Sequence, residues 1–322
     1  MPFEQSILDI DPDAEIKRIT AFIREMVSSR FRRKGAVVGL SGGVDSAVTA
    51  ALCVRALGSE RVLALFLPER ESNPISLELG RAEAARLGIR AIEENITPRL
   101  ESFGVYERRD GVIREIVPDF GDGWRFNLAL PQDLLDRDRL NYYSLIVERP
   151  DGTRSSTRVS PAQWQAISAC QNIKQRTRMI MLYYHAEREK YIVAGTTNRS
   201  ETAQGFFVKH GDGGVDIEPL AHLYKTQVYR LARALEVTPG IIERAPSPDT
   251  YSLPVTDKEF YFCLDYALLD LILYAYEHEV TASLAADVLG LDPAQIERVF
   301  RDLKAKKRAT WHLRRVPPVV EP

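Results

Sequence analysis

Ala36-Val37-Val38-Gly39-Leu40-Ser41-Gly42-Gly43-Val44-Asp45-Ser46 is the stretch that decides the fold of this chain. Its first five residues form a short apolar, β-branched run, which predicts a buried strand. A turn containing two glycines follows, and residues 47–57 have the pattern of a helix. Because glycine lacks a Cβ atom and a helix N-terminus is electropositive, this strand-loop-helix unit predicts a phosphate-binding turn.

The flanking segments repeat the alternation of strands and helices. Apolar runs at residues 61–67 and 191–196 predict two more buried strands. The helical spacing of apolar residues is found at residues 16–27, 75–87, 162–189 and 225–235. This alternation predicts the α/β class: an open parallel sheet with helices on both faces, in a Rossmann-like arrangement.

A single domain is expected to span residues 1–322, with two departures from the α/β rhythm. Residues 101–161 are rich in Gly, Pro and Asp and are interpreted as an insertion. Within it, the segments 143–148 and 153–159 flank a Pro-Asp-Gly turn, which predicts a β-hairpin. Residues 256–322 are interpreted as a helical C-terminal segment with a Pro-rich tail.

The composition argues against several classes of protein. Lys and Arg total 43 against 45 Asp and Glu, and the formal charge of −2 gives no support for binding to nucleic acids or acidic membranes. Cys53, Cys170 and Cys263 are too scattered for a disulfide framework or a zinc site. The sequence shows neither a leader-like N-terminus nor a run of about 18 apolar residues, so we expect a cytoplasmic protein without a membrane span.

The phosphate loop itself indicates ATP chemistry with a metal ion. A helix N-terminus supplies only about half an elementary charge, so a triphosphate would also need a divalent cation and a lysine. Asp45 is the expected Mg²⁺ ligand within the loop. Residues 41–46 form neither a Walker A loop nor a Gly-x-Gly-x-x-Gly motif, which argues against kinases and dehydrogenases. For the glycine pair alone, a turn without a ligand is the alternative.

Several stretches resemble known families. Residues 41–46 resemble the phosphate loop of the ATP pyrophosphatase superfamily, whose adenine nucleotide α-hydrolase-like fold cleaves ATP between the α and β phosphates. Residues 195–214 are similar to the signature of NAD synthetases, which amidate nicotinic acid adenine dinucleotide: Gly-Thr-Thr-Asn-Arg-Ser-Glu-Thr-Ala-Gln-Gly-Phe-Phe-Val-Lys-His-Gly-Asp-Gly-Gly. Residues 172–180, 219–225 and 245–249 also resemble that family.

The resemblance implies amidation through an acyl-adenylate. The nicotinate carboxylate would attack the α-phosphorus of ATP, pyrophosphate would leave, and ammonia would then displace AMP. Asp45 and Lys225 would be catalytic, and Asp45 and Glu201 would hold Mg²⁺ at the strand ends where α/β sheets bind ligands. The implied ATP-binding residues are Gly39, Ser41, Gly42, Gly43, Val44, Asp45, Ser46, Thr196, Lys225 and Ser247. For Thr196 and Ser247, helix capping is the competing interpretation.

The dinucleotide is expected to bind along one helix and the loop that follows it. Positions 172, 176 and 183 are four and seven residues apart, so one helix face would present an amide, a guanidinium and a ring. An ordinary half-buried helix is the alternative. The residues that the resemblance implies for this substrate are Asn172, Arg176, Tyr183, Lys209, Asp216 and Lys306.

Two other functions stay open at the level of sequence. Residues 282–292 and 293–303 predict two helices around a Gly turn, followed by a basic run at 304–308, which is also the outline of a helix-turn-helix nucleic-acid binder. The insertion would reshape the mouth of the site, so an adenylate-forming ligase for a different carboxylate is the second alternative.

The nitrogen donor is expected to be free ammonia. About 35 residues precede the first strand, and no cysteine precedes Cys53, so no glutaminase domain is expected within the chain. A separate glutaminase subunit is the alternative source. The resemblance also implies a homodimer with the dinucleotide site near the interface.

Overall fold

The structure is a computed structural model that describes residues 3–138 and 140–320. Its strands are β1 (Ala36–Gly39), β2 (Val62–Phe66), β3 (Arg90–Glu93), β4 (Arg125–Ala129), β5 (Ser144–Glu148), β6 (Arg154–Arg158) and β7 (Ile192–Val193). A four-stranded parallel sheet has the order β3-β2-β1-β7, and a three-stranded antiparallel sheet has the order β4-β5-β6.

The helices follow the strands along the chain. They are α1 (Pro12–Arg24), α2 (Val44–Leu57), α3 (Pro74–Leu87), α4 (Thr97–Ser102), α5 (Val105–Ile116), α6 (Pro161–Glu189), α7 (Arg199–Gln204), α8 (Lys225–Ala234), α9 (Pro239–Glu243), α10 (Tyr266–Glu277), α11 (Ala282–Leu289) and α12 (Pro293–Ala309). None of the helices in the described part of the chain is long and apolar enough to cross a membrane.

Strand β1 shows why helices cover both faces of the parallel sheet. Ala36 and Val38 point into one core, which α1, α2 and α8 complete. Val37 points into the opposite core, built from α4, α5 and α6. Since successive side chains of a strand alternate between faces, an all-apolar strand requires cover on both sides. The prediction of an α/β fold with an open, two-sided parallel sheet is confirmed.

The predicted β-hairpin is confirmed as β5 and β6, which pair with Ser144 opposite Arg158 and Glu148 opposite Arg154. Strand β4, which pairs with the other edge of β5, was not predicted. Its side chains Phe126 and Leu128 enter a separate small core together with Tyr251 and Ile167. Helix α5 in the same stretch and helix α4, which ends at Ser102, were also not predicted, so residues 101–161 hold more regular structure than the Gly, Pro and Asp clusters indicated.

The prediction was incomplete at both outer strands of the parallel sheet. Strand β3 was not predicted because it lies at the sheet edge and its residues are mostly exposed, which removes the apolar run of a buried strand. Strand β7 covers only Ile192–Val193 rather than residues 191–196. After it, the chain makes a single bridge from Ala194 to Ile217 and leaves the sheet.

Candidate active site

The phosphate loop connects β1 to α2 at the carboxyl end of the sheet. Ser46 Oγ donates to the carbonyl of Gly43 (2.9 Å) and accepts from the backbone N–H of Ser41 (3.2 Å), which closes the loop on itself. Helix α2 begins at Val44, three residues before the predicted start at residue 47. Asp45 is therefore in the first turn of the helix, where its carboxylate is close to the electropositive end.

Gly42 is the position in this loop that requires glycine. Its φ is +77°, in the left-handed region, and a Cβ atom there would lie 2.2 Å from the carbonyl oxygen of Ser76. The loop thus packs directly against the start of α3 with no room for a side chain. This close approach fixes the loop beside the chain segment that follows β2.

A cavity of about 930 Å³ opens at this edge of the sheet. It is lined by the phosphate loop, by the segments after β2 and β7, by residues 244–251, by α6 and by the end of α12. The predicted site residues that line it are Gly39, Ser41, Gly42, Gly43, Val44, Asp45, Ser46, Asn172, Thr196, Glu201, Lys225, Ser247 and Lys306. The volume is large enough for a nucleotide together with a second substrate.

A buried lysine lies between two of the predicted acidic residues. Lys225 Nζ is 2.5 Å from Asp45 Oδ2 and 3.2 Å from Glu201 Oε1, and only 2% of Lys225 is exposed. Asn198 Nδ2 donates to the other Asp45 oxygen at 3.0 Å. The helices α2, α7 and α8 therefore bring their first turns together at one charged centre.

Asp257 contributes a third carboxylate to this centre, which was not predicted from the sequence. It is buried, with 4% of its surface exposed, lines the cavity and accepts a hydrogen bond from the Tyr266 hydroxyl at 2.9 Å. Burial raises the pKa of Glu201 to about 8, with Lys225 lowering it and Asp45 and Asp257 raising it. Three acidic side chains thus surround one ammonium, and a bound cation would favour the ionised form of all three.

The side chains predicted to share one face of α6 diverge. Asn172 lines the cavity, whereas Arg176 is exposed and donates to the backbone carbonyl of Lys209 at 3.3 Å. Tyr183 lies in a second, smaller cleft, where its hydroxyl donates to Asp216 Oδ1 at 3.2 Å. The structure thus brings Tyr183 and Asp216 together, but outside the main cavity.

Lys209 and Lys306 are both held by the C-terminal segment. Lys209 Nζ donates to the backbone carbonyls of His312 and Arg315, at 3.2 and 3.0 Å. Lys306 Nζ donates to the carbonyl of Tyr261 at 2.8 Å and pairs with Asp302. Ala309, Thr310 and Leu313 add to the cavity wall, so the segment after α12 covers the loop that contains Lys209.

Thr196 and Ser247 both reach the cavity but differ in their surroundings. Ser247 is exposed, and its Oγ accepts from the backbone N–H of Asp249 at 3.3 Å, so it also supports a local turn.

Behind Thr196, the buried carboxyl of Glu218 accepts from Thr197, and its second oxygen has no hydrogen-bond partner among the described residues. Burial raises the pKa of Glu218 to about 8.

Comparison with known proteins identifies the family. A family model described as NAD synthase matches residues 15–115 and 147–317. The chain belongs to the NAD synthase family. The match passes over residues 116–146, the part of the chain that contains β4 and the start of β5.

Individual relatives agree with this membership of the NAD synthase family. The chain is 48% identical over 311 residues to the NH3-dependent NAD(+) synthetase of Mesorhizobium japonicum, covering 97% of each protein. It is 45% identical over 320 residues to that of Rhizobium meliloti, covering 99% of this chain and 95% of the relative. The solved NH3-dependent NAD synthetase from Campylobacter jejuni, in complex with the nitrate ion, has a TM-score of 0.63 at 23% identity, over 97% of this chain and all of that one. Neither alternative function, nucleic-acid binding or ligation of a different carboxylate, gains support from this family.

Three site residues of this NAD synthase-family chain were missed from sequence. Asn198 carried a signal, because Asn followed by Glu three residues later is a capping box, which the structure contains at the start of α7. Asp257 and Glu218 carried none. Asp257 directly precedes a short π-helical segment, Lys258–Phe262, and Glu218 lies in a loop. Only the tertiary fold brings Asp257 to Lys225 and Glu218 to Thr197.

Proposed function

We propose that this protein is an ammonia-dependent NAD synthetase that converts nicotinic acid adenine dinucleotide to NAD with ATP, releasing AMP and pyrophosphate. Membership of the NAD synthase family and 48% identity to an NH3-dependent NAD(+) synthetase support the reaction. The observation that carries the proposal is the position of Lys225, buried between Asp45 and Glu201 beside the phosphate loop.

The chain's own residues supply the electrostatics of the adenylation step. The phosphate loop and the first turn of α2 would hold the triphosphate, with Gly39, residues 41–46, Thr196 and Ser247 along its length. The Lys225 ammonium would neutralise charge on the α-phosphate as the nicotinate oxygen forms a bond to phosphorus and the bond to pyrophosphate breaks. Ammonia would then attack the acyl carbon, AMP would leave with the bonding electrons, and a proton would pass to solvent or a nearby carboxylate.

The residues around Lys225 fit a magnesium ion. Mg²⁺ prefers carboxylate oxygens, and the centre offers Asp45, Glu201 and Asp257, all three of which line the cavity. When bound, Mg²⁺ would supply Lewis-acid stabilisation of the phosphate charge. Asp45 and Glu201 are the residues that would hold it.

The dinucleotide would extend from the main cavity to the small cleft. Asn172, Lys209 and Lys306 would contact its nicotinate half near the charged centre. Arg176, Tyr183 and Asp216 would bind the remainder, since they lie on or beside the exposed side of α6. On this surface Ile180 and Tyr184 are each 53% exposed, and exposed apolar side chains of this kind favour a subunit interface. We therefore propose a homodimer through α6.

Nitrogen source and compartment belong to the same proposal. The named relatives are NH3-dependent enzymes, which supports free ammonia, and a separate glutaminase subunit would deliver the same nucleophile. Cys53 and Cys170 are buried free thiols, which suits a reducing cytoplasm. We also propose that residues 1–322 act as one catalytic domain, with 101–161 as an insertion and 256–322 as a helical C-terminal segment.

The test is an assay of purified protein with ATP, Mg²⁺ and nicotinic acid adenine dinucleotide, with ammonium or glutamine as nitrogen source. We expect NAD to form with ammonium and to form far more slowly with glutamine alone. Nicotinic acid mononucleotide is the control substrate, and it should give no amide at a comparable rate. Equal turnover of both nucleotides would contradict the assignment of the dinucleotide.

A further inference from the structure

Lys174 has no role in the reaction described above, yet it is a fully buried charged group beside the cavity. Its exposure is 0%. Its Nζ donates to Glu69 Oε1 (2.9 Å), to Glu71 Oε2 (2.7 Å) and to the backbone carbonyl of Thr250 (2.9 Å). An ammonium has three protons, so all of its donors are used.

The two carboxylates that Lys174 binds each accept further hydrogen bonds. Glu69 Oε2 accepts from the Tyr106 hydroxyl at 2.7 Å and from the backbone N–H of Glu71 at 3.0 Å. Arg109 donates to Glu71 Oε2 at 2.6 Å. Burial would raise the pKa of Glu71, but Lys174 and Arg109 outweigh it and hold that pKa below its ordinary value. The four side chains Lys174, Glu69, Glu71 and Arg109 are therefore paired within one cluster, although they lie in the protein interior.

Lys174 joins two separate cavity walls. Glu69 and Glu71 are in the loop after β2, whose residues 66–69, 72 and 73 line the cavity. Thr250 is in the segment 244–251, which lines the adjoining wall and contains Ser247. A second bond joins the same two segments, because the backbone N–H of Asn73 donates to Asp249 Oδ1 at 3.1 Å. The ammonium and this bond fix the width of the cleft between the walls.

The segment that holds Thr250 is also fixed from its other side by β4. The backbone N–H of Phe126 donates to Ser252 Oγ at 3.0 Å, and the N–H of Leu253 donates to the carbonyl of Phe126 at 2.9 Å. Arg109 lies over the Phe126 ring, 4.6 Å from its centroid. Strand β4 is within residues 116–146, over which the family match passes. The cluster thus connects the extra sheet to the nucleotide side of the cavity.

We propose that Lys174 is a positioning residue for ATP, which holds the loop after β2 and residues 244–251 in their nucleotide-binding arrangement before ATP arrives. The inference rests on the proposed function, because that function places ATP beside Ser247, in the second of these walls. Lys174 is not in the cavity lining and touches no substrate. Because the two loops are already ordered before ATP binds, the free-energy cost of ordering them does not weaken ATP binding.

The test compares ATP and dinucleotide affinity in variants of the full-length protein. Lys174→Met removes the ammonium but leaves two buried carboxylates short of a partner, which destabilises the fold. Lys174→Met/Glu69→Gln removes one positive and one negative charge, so the buried charge stays balanced while the bond to Thr250 is lost. Binding of the non-hydrolysable analogue α,β-methylene-ATP is measured by calorimetry, and the binding of nicotinic acid adenine dinucleotide is measured separately.

Both variants should weaken binding of the ATP analogue by about tenfold, because a hydrogen bond from a charged donor is lost, and should leave dinucleotide affinity within about twofold. Lys174→Arg should restore part of the analogue affinity. Arg86→Met is the matched control, since it deprives Glu83, a carboxylate with 0% side-chain exposure, of its ion pair on α3 outside the cavity lining. It should lower thermal stability without changing the affinity for the analogue.

Unchanged analogue affinity in a folded Lys174 variant, or equal weakening of both ligands, would overturn the inference. If neither methionine variant folds, hydrogen exchange of the unsubstituted protein decides: residues 68–73 and 246–254 should exchange slowly without nucleotide, and rapid exchange there would refute preordering. Failure of the proposed function is a different result, in which the unsubstituted protein binds the nucleotides but forms no NAD.

Discussion

Lys225 and Asp45, 180 residues apart in the sequence, form a contact of 2.5 Å at the mouth of the phosphate loop. Each is in the first turn of its helix, and the two helices α2 and α8 pack against each other through one core. The contact places a buried cation where a triphosphate would enter. In the proposed reaction, the chemistry of the site would depend on this pair and on Glu201, which also contacts Lys225.

Asp45→Ala should abolish adenylate formation, because it removes both a carboxylate that would bind Mg²⁺ and one partner of Lys225. We expect a decrease in pyrophosphate release of at least 100-fold, in the range seen when one electrostatic catalytic group is lost. The variant should melt at a lower temperature but still fold, because Lys225 keeps Glu201 as a partner. Retention of most activity in a folded variant would overturn the assignment of the loop.

Lys225→Met should make the melting temperature of the protein depend more strongly on the magnesium concentration. Without the ammonium, Asp45, Glu201 and Asp257 would lack a buried cation, and breaking a buried ion pair costs about 3–5 kcal/mol. The variant should therefore melt below the unsubstituted protein, and added MgCl2 should raise its melting temperature by more than it raises that of the original. Equal magnesium shifts in differential scanning calorimetry would show that the metal does not bind to these carboxylates.

Gly42→Ala should damage the phosphate loop, since the new Cβ atom would lie 2.2 Å from the Ser76 carbonyl at a φ of +77°. We expect at least a tenfold loss in kcat/KM for ATP together with lower stability. Gly88→Ala is the control, because Gly88 has a φ of +62° but no atom within 4 Å of the added Cβ. It should cost about 1 kcal/mol of stability and leave kcat/KM unchanged. Similar kinetics for the two variants would show that the Ser76 contact is unimportant.

Glu218→Gln should stabilise the protein at alkaline pH. Glu218 has an ordinary pKa of 4.5 and a folded pKa raised to about 8 by burial. Between these values the unfolded chain loses this proton while the folded protein keeps it, so the free energy of unfolding decreases as the pH rises. The amide has no such penalty, and the variant should be more stable by about 1–3 kcal/mol at pH 8 and above. Urea denaturation at pH 5 and pH 9 measures the difference in the free energy of unfolding between the variant and the unsubstituted protein. An equal difference at both pH values would show that ionisation of Glu218 is not the cause.

The parts of the fold that could be predicted from sequence are those with local patterns. Strands β1 and β2 are apolar on both faces, so their residues show a continuous run, and α6 shows helical spacing over residues 161–189. Strand β3 could not be predicted, because an exposed edge strand need not be apolar. Strand β4 could not be predicted for another reason. Its position depends on hydrogen bonds to Ser252 and Leu253, which are more than 120 residues away in the sequence.

The residues of the candidate site fall into the same two groups, those with a local sequence pattern and those without one. The loop from Ser41 to Ser46 and the residues around Glu201 are contiguous motifs, so the sequence alone is enough to recognise them. Asp257 and Lys174 could not be given roles, because each acts only through partners brought to it by the tertiary fold. Arg176 and Tyr183 were predicted to face the same ligand as Asn172, but they lie outside the main cavity. Helical spacing predicts which residues share a face of α6, whereas the tertiary fold decides what each of them contacts.

The central claim is that this chain couples cleavage of ATP at the α-phosphate to amidation of nicotinic acid adenine dinucleotide. The most direct measurement follows both products in one reaction with ¹⁵N-ammonium, Mg²⁺ and ATP, using mass spectrometry. We expect ¹⁵N-labelled NAD and AMP in equal amounts, with neither forming when the dinucleotide is omitted. Formation of ADP in place of AMP, or AMP without labelled NAD, would contradict the claim.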